Sequence, residues 1–151
     1  LALCARLPKA VPGGTLIDVG SGAGFPGALC AMWRPDWRVT LIDRTQKKVA
    51  FLMTLRRELA LPNLDPQAVD VRALIKEGRR FGCVVSRAAF PPPEWLTLGA
   101  ALCAPGGSVW QLLTAAQAEA PSSPPPPLVA GIDEPYDVGA GPHRVRSFTV
   151  P

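Results

Sequence analysis

The residues Asp18-Val19-Gly20-Ser21-Gly22-Ala23-Gly24-Phe25-Pro26-Gly27 constrain this chain more than any other segment. They follow Thr15-Leu16-Ile17, an apolar run that reads as a buried strand, and precede Ala28 to Trp33, which reads as a helix. A strand that ends in glycines and re-enters as a helix turns sharply and lets a ligand approach the backbone closely. The helix start then presents unpaired N–H groups to that ligand. Four glycines in the eight residues 20–27 are hard to explain by folding alone and point to a nucleotide-type pocket.

Two motifs overlap in this loop. Gly22-Ala23-Gly24-Phe25-Pro26-Gly27 fits G-x-G-x-x-G, the dinucleotide fingerprint. Asp18-x-Gly20-x-Gly22-x-Gly24 fits the acidic, alternating-glycine loop of S-adenosylmethionine-dependent methyltransferases. The acid separates them. A carboxylate beside a pyrophosphate is repelled, whereas S-adenosylmethionine has no phosphate and carries a sulfonium and an ammonium. Asp18 can accept from such a cation or from the loop's own N–H groups, which favours the methyltransferase reading. A plain turn or cap role is the alternative for Asp18.

The second half of the pocket comes from Trp37-Arg38-Val39-Thr40-Leu41-Ile42-Asp43, an alternating run that becomes apolar and ends in an acid. Asp43 lies about 20 residues past the glycines, where an acid binds ribose hydroxyls. It serves either cofactor equally, and it is also a good cap for the helix that follows.

Strand and helix signals alternate along the chain. Gln46 to Ala60 reads as a helix with an apolar stripe of Val49, Leu52, Met53, Leu55 and Leu59, stopped by Pro62. Leu64 to Val71 holds a short strand whose Pro66 places it towards an edge. A short helix at Ala73 to Glu77, a buried strand at Gly82 to Ser86, a helix at Glu94 to Cys103 and a strand at Ser108 to Leu113 follow. Pro121 to Pro127 reads as an extended, mobile proline-rich loop, and Arg144 to Val150 as a final strand. Strands separated by helices imply a mostly parallel sheet covered on both faces, with the ligand beyond the carboxyl ends of the strands. Asp18 and Gly20, Asp43, Val71 and Arg72, and Ser86 and Arg87 all fall at such ends. No repeat or second domain is visible in residues 1–151.

Composition sets limits. The chain is 48% hydrophobic and 19% charged, a globular balance, and no apolar run approaches the ~20 residues of a membrane span. No signal peptide is visible, and a chain that starts at Leu1 without Met reads as a fragment. Cys4, Cys30, Cys83 and Cys103 lack metal-ligand spacing, and one His makes no zinc site, so free thiols in a reducing compartment, the cytoplasm, are expected. The net charge is +4, and residues 1–100 carry 14 Lys/Arg against 8 Asp/Glu while 101–151 carry 2 against 4. The candidate binding half is the basic half, which suits an RNA partner as well as an ordinary solvated surface.

The block Leu16 to Gly27 resembles the signature of the small-subunit ribosomal RNA methyltransferase G family. Leu41-Ile42-Asp43 with Lys47 to Leu52, Val84-Val85-Ser86-Arg87-Ala88, and Pro105-Gly106-Gly107 follow in the family's order. The similarity spans residues 14 to 113 well and the final strand weakly. It implies a Rossmann-like class I methyltransferase fold with a mostly parallel seven-stranded sheet. It implies S-adenosylmethionine as methyl donor and guanine N7 in 16S ribosomal RNA as acceptor. It implies cofactor contacts at Gly20 and Phe25, at Val71 and Arg72, and at Arg87. With the loop and strand-end residues, the expected cofactor set is Asp18, Gly20, Gly22, Gly24, Phe25, Asp43, Val71, Arg72 and Arg87. No metal and no catalytic side chain is assigned. Guanine N7 bears a lone pair and no proton, so positioning can replace a general base. Arg87 also has a case of its own, since a guanidinium at a strand end can hold a carboxylate or phosphate bidentately, with a structural ion pair as its alternative. Phe90-Pro91-Pro92-Pro93 lacks the Asn or Asp of amino-group methyltransferases and reads as a rigid loop. Phe90 and Trp95 are candidates to stack on a base, with core packing as the competing role.

The chain departs from the family at Arg72, where an acid is usual, at Gly82, where Asp is usual, and at Leu113-Thr114, where Lys-Gly is usual. The family's N-terminal helical segment and a basic C-terminal tail are also absent. Three readings stay open: a guanine-N7 methyltransferase, a degenerate cofactor- or RNA-binding domain, and a dinucleotide-dependent oxidoreductase.

Overall fold

A computed structural model of the chain describes residues 3–118, 123–137 and 142–151. Its first five strands are β1 (Thr15–Val19), β2 (Arg38–Asp43), β3 (Leu64–Ala68), β4 (Phe81–Arg87) and β5 (Cys103–Leu113). Four helices connect them: α1 (Gly27–Trp33), α2 (Gln46–Glu58), α3 (Val71–Lys76) and α4 (Pro92–Leu102). A single turn, α5 (Ala115–Ala118), then leads towards β6 (Val129–Asp137) and β7 (Pro142–Thr149). The strand order is β3-β2-β1-β4-β5-β7-β6. The first five are parallel and β7 and β6 are antiparallel additions, so the sheet is mostly parallel with seven strands among the described residues.

Neighbouring side chains of each central strand face opposite ways and enter different cores. Leu16, Leu41, Cys83, Val85 and Trp110 pack with Cys30 and Ala31 of α1 and Leu52 of α2. Ile17, Ile42, Val84 and Val109 pack with Val71 and Leu74 of α3 and Trp95, Leu96 and Leu102 of α4. Both faces are therefore covered, which explains why the strands read as nearly continuous apolar runs. The chain order reverses between β1 and β4, and the carboxyl ends on either side of that switch are where such sheets bind ligands.

Several boundaries move. The third strand stops at Ala68, because Asp70 caps α3 and its side chain accepts from Arg72 N at 2.8 Å. Val71 and Arg72 thus open a helix rather than end a strand. Pro66 sits in β3 at the sheet edge, as its missing N–H requires. In α2 only Val49 and Leu52 are buried, while Met53 and Leu59 of the expected stripe are exposed. The strand β6, which has no alternating signal, is held by its pairing with β7. Of the expected proline-rich loop, residues 121–122 lie outside the described residues. All four cysteines are buried and free, with Cys4 Sγ 3.8 Å from Cys30 Sγ. Among the described residues no helix is long and apolar enough to cross a membrane, and no group of side chains is arranged to hold a metal.

Candidate functional site

The glycine loop leaves β1 at Val19 and turns at Gly20, whose φ is +73°. A Cβ there would lie 2.5 Å from the Ala89 methyl, so the β1 and β4 loops touch only because this residue is glycine. The loop N–H groups are largely taken. Gly20 and Ser21 both donate to Ile42 O, and Gly24 donates to Ser21 O. Gly22 N donates to Asp43 Oδ2 at 3.2 Å, and Gly27 N donates to Asp18 Oδ2 at 2.8 Å.

Asp18 is completely buried beneath the loop, against the first turn of α1. Burial pushes its carboxyl up to about 7, opposed by the Gly27 hydrogen bond and by the positive charge of Arg87. Its Oδ1 has no hydrogen-bond partner among the described residues. Between the two options open from sequence, a ligand cation or the loop's own backbone, the geometry gives Asp18 the backbone.

Beyond the carboxyl ends of β1, β2 and β4 lies a cleft of about 630 Å³. Five of the nine residues expected at the pocket line it: Gly20, Asp43, Val71, Arg72 and Arg87. Asp18, Gly22, Gly24 and Phe25 do not, each for a local reason. Asp18 lies under the loop, and Gly22 faces Asp43 through its backbone. Gly24 abuts α2, where a Cβ would meet Leu52 and Leu55 methyls at 3.1 Å. Phe25 is 47% exposed and lies outside the cleft lining.

Asp43 ends β2 and organises both neighbouring loops. Its Oδ1 accepts from Thr45 N at 2.9 Å, and Lys48 Nζ lies 3.4 Å from its Oδ2. Burial works to raise its carboxyl, but the Thr45 hydrogen bonds and Lys48 outweigh it and hold the group below the ordinary carboxylate range. Asp43 is therefore an anion at the cleft wall. Thr45, not Asp43, occupies the cap position of α2, with Asp43 reaching it from two residues back.

Arg72 spans the rim. Its Nη2 lies 2.7 Å from Glu94 Oε1 of α4, and its Nη1 lies 3.9 Å from Asp70 Oδ1. Where the family usually has an acid, Arg72 thus pairs with Asp70 two residues earlier and with Glu94 across the cleft. Neither was singled out from sequence, although Asp70 just before a helical run is a capping signal. Arg87 ends β4, is exposed, and joins none of the ion pairs among the described residues. Trp95 is a core residue, since its Nε1 donates to Trp110 O at 3.0 Å. Phe90 stacks on it at 6.0 Å between ring centroids and lines the cleft.

Gly82 has a packing explanation. A Cβ there would run into the backbone of Pro12, and its N–H donates to Thr15 Oγ1 at 3.0 Å. The turn before β1 occupies the space that an Asp would need.

This sheet order, with the pocket at the switch point, defines a Rossmann-like class I methyltransferase fold. Solved structures agree. TrmN from Thermus thermophilus superposes with a TM-score of 0.71 at 19% identity, over 99% of this chain and 48% of that one. TehB from Haemophilus influenzae gives 0.68 at 13% identity, over 99% and 61%. Coclaurine N-methyltransferase, solved with N-methylheliamine and SAH, gives 0.61 at 15% identity, over 74% and 34%. Residues 3–121 match the family model of rRNA small subunit methyltransferase G, and the chain belongs to that family. Ribosomal RNA small subunit methyltransferase G of Burkholderia ambifaria is 43% identical over 100 residues, and that of Burkholderia multivorans 42%. These matches cover 64% of this chain and 44% of each relative, so the chain matches less than half the length of its curated relatives.

Proposed function

We propose that this domain binds S-adenosylmethionine in the main cleft and transfers its methyl group to guanine N7 of 16S ribosomal RNA, in the cytoplasm. One observation carries the reading. The loop that would cradle a pyrophosphate spends its N–H groups on Asp18, Asp43 and neighbouring carbonyls, which leaves few donors for a phosphate. A loop with its donors spent suits a ligand with hydroxyls and a cationic centre better than one that brings a pyrophosphate. With the match to the rRNA small subunit methyltransferase G family, this favours the methyltransferase over the oxidoreductase reading.

Four residues of the cleft lining would hold the cofactor. Asp43 accepts from ribose hydroxyls. Val71, at the start of α3, offers an apolar surface for the adenine. The Arg87 guanidinium is available to the cofactor's carboxylate. Gly20 keeps the β1 turn low enough for the ligand to pass over it. When bound, S-adenosylmethionine supplies an electrophilic methyl on a sulfonium. Guanine N7 has no proton to lose, so the chain's task is alignment and exclusion of water rather than proton transfer. The departures at Arg72 and Gly82 have structural accounts, in an ion pair and a close backbone approach, and so give the degenerate-domain reading little support. The basic half of the chain suits the RNA.

Titration calorimetry of the folded chain tests the first half of the proposal. One-site, saturable binding of S-adenosylmethionine with no heat from NAD is expected, and the reverse pattern overturns it. Transfer of labelled methyl to small ribosomal subunits that lack the modification tests the second half, and labelling at a site other than guanine N7 overturns it.

A further inference from the structure

A second pocket, of about 300 Å³, adjoins the main cleft and shares Arg87 and Ala88 with it. It lies on the far side of β4, where the parallel sheet meets its antiparallel addition. The register puts its parts in line. Arg87 pairs with Leu112, and Leu113 pairs with Arg144 of β7, so His143 stands just past the end of β5. Tyr136 of β6 is the cross-strand partner of His143, and the two rings lie 5.5 Å apart at 46°. Leu113 is buried at the base and Thr114 stands at the exit of β5. The pocket therefore has an aromatic wall, an apolar floor and a cationic border with the main cleft. Burial raises the Tyr136 phenol against the pull of Arg87, which keeps it a neutral hydrogen-bonding group at physiological pH.

We propose that this pocket is the acceptor subsite, taking a purine base unstacked from an RNA strand, with Tyr136 as the stacking residue and His143 positioning it. The inference rests on the methyltransferase reading and adds the place and the residues that hold the acceptor. Three features carry it. The pocket borders the cleft at Arg87 and Ala88, which line both, so a base seated in it lies beside the cleft. Its walls match the way single-stranded bases are held, by stacking on aromatic side chains. Its position also explains why Leu113 stands at the end of β5, since an apolar floor under a flat ring needs no ammonium group.

The test uses guanosine monophosphate as the probe and S-adenosylhomocysteine as the cofactor analogue. In the analogue-saturated chain, added guanosine monophosphate should shift the amide resonances of Ala88, Leu113, Thr114, Tyr136 and His143. Tyr136→Ala should weaken that binding by about tenfold, the scale of one lost base–aromatic stack, while Tyr136→Phe stays close to the parent. Analogue affinity should not change in either variant. Shifts confined to other regions, no shifts at millimolar probe, or undiminished binding in a folded Tyr136→Ala variant overturns the proposal. Mapping on the unsubstituted chain decides it even if the Ala variant fails to fold. Failure of the chain to bind S-adenosylhomocysteine overturns the cofactor reading instead, and the probe titration without the analogue then still decides the base pocket.

Discussion

The N–H of Gly27 donates to Asp18 Oδ2 at 2.8 Å across the whole glycine loop, so the last glycine of the motif is fastened to the acid that precedes it. A Cβ at Gly27 would strike Leu41 and come within 2.8 Å of the same carboxylate oxygen. Gly27→Ala should therefore force the helix and the acid apart. We expect a loss of about 2–4 kcal/mol, typical of overpacking with a broken buried hydrogen bond, read by chemical denaturation. A stability equal to the parent would show that the loop relaxes freely.

The same pair makes stability depend on pH. Burial raises the folded Asp18 carboxyl to about 7, well above the ordinary carboxylate range, so the folded state binds the proton more tightly than the unfolded state. Its stabilising contribution is full below the unfolded value and is lost as pH rises through the folded value. Between pH 6 and pH 8 the loss should be about 1 kcal/mol, a few degrees in Tm for a chain of this size. Asp18→Asn should flatten that part of the profile. A parent profile that is level from pH 6 to 8, or a variant that keeps the parent's slope, would count against it.

The helices, the parallel strands and the position of the cleft were legible in the sequence because periodicity and glycine placement encode them locally. The order of roles inside the cleft was less so. Asp18 and Asp43 both sit at strand ends in the sequence and take the same side of the pleat, yet Asp18 pairs with Leu41, two residues short of Asp43, so one lies under the loop and the other at the cleft wall. Met53 and Leu59 fit the helical stripe of α2 but are exposed. The strand β6 escaped notice because Val129-Ala130-Gly131-Ile132-Asp133-Glu134-Pro135 has no apolar alternation, and its pairing to β7 is a tertiary fact. Arg72 stands where the family usually has an acid, and the acids it pairs with, Asp70 and Glu94, are two and 22 residues away, so the pairing was not legible locally.

Arg72 and Glu94 are both partly exposed, at 58% and 42% of their side-chain surfaces. Exposed pairs of this kind contribute little. Arg72→Ala should lower Tm by no more than about 3 °C. Its effect on S-adenosylmethionine affinity should also be small if the residue serves the rim rather than the ligand. A tenfold loss of affinity in calorimetry would restore a direct contact.

Asp43 should behave in the opposite way. Its carboxylate holds Thr45 N and Gly22 N and faces the cleft. The group lies below the ordinary carboxylate range, so it stays ionised through neutral pH and its stabilising contribution is lost only as pH falls towards its own titration. Asp43→Ala removes the ribose acceptor and loosens two loops together. S-adenosylmethionine affinity should fall by at least tenfold, the scale of about 1.4 kcal/mol. Asp43→Asn keeps an acceptor oxygen but loses the charge that draws in Lys48, so it should fall between the parent and the Ala variant. Affinity that is unchanged in both variants, measured at pH 7 on folded protein, would remove Asp43 from the binding site and leave it a loop-organising residue only.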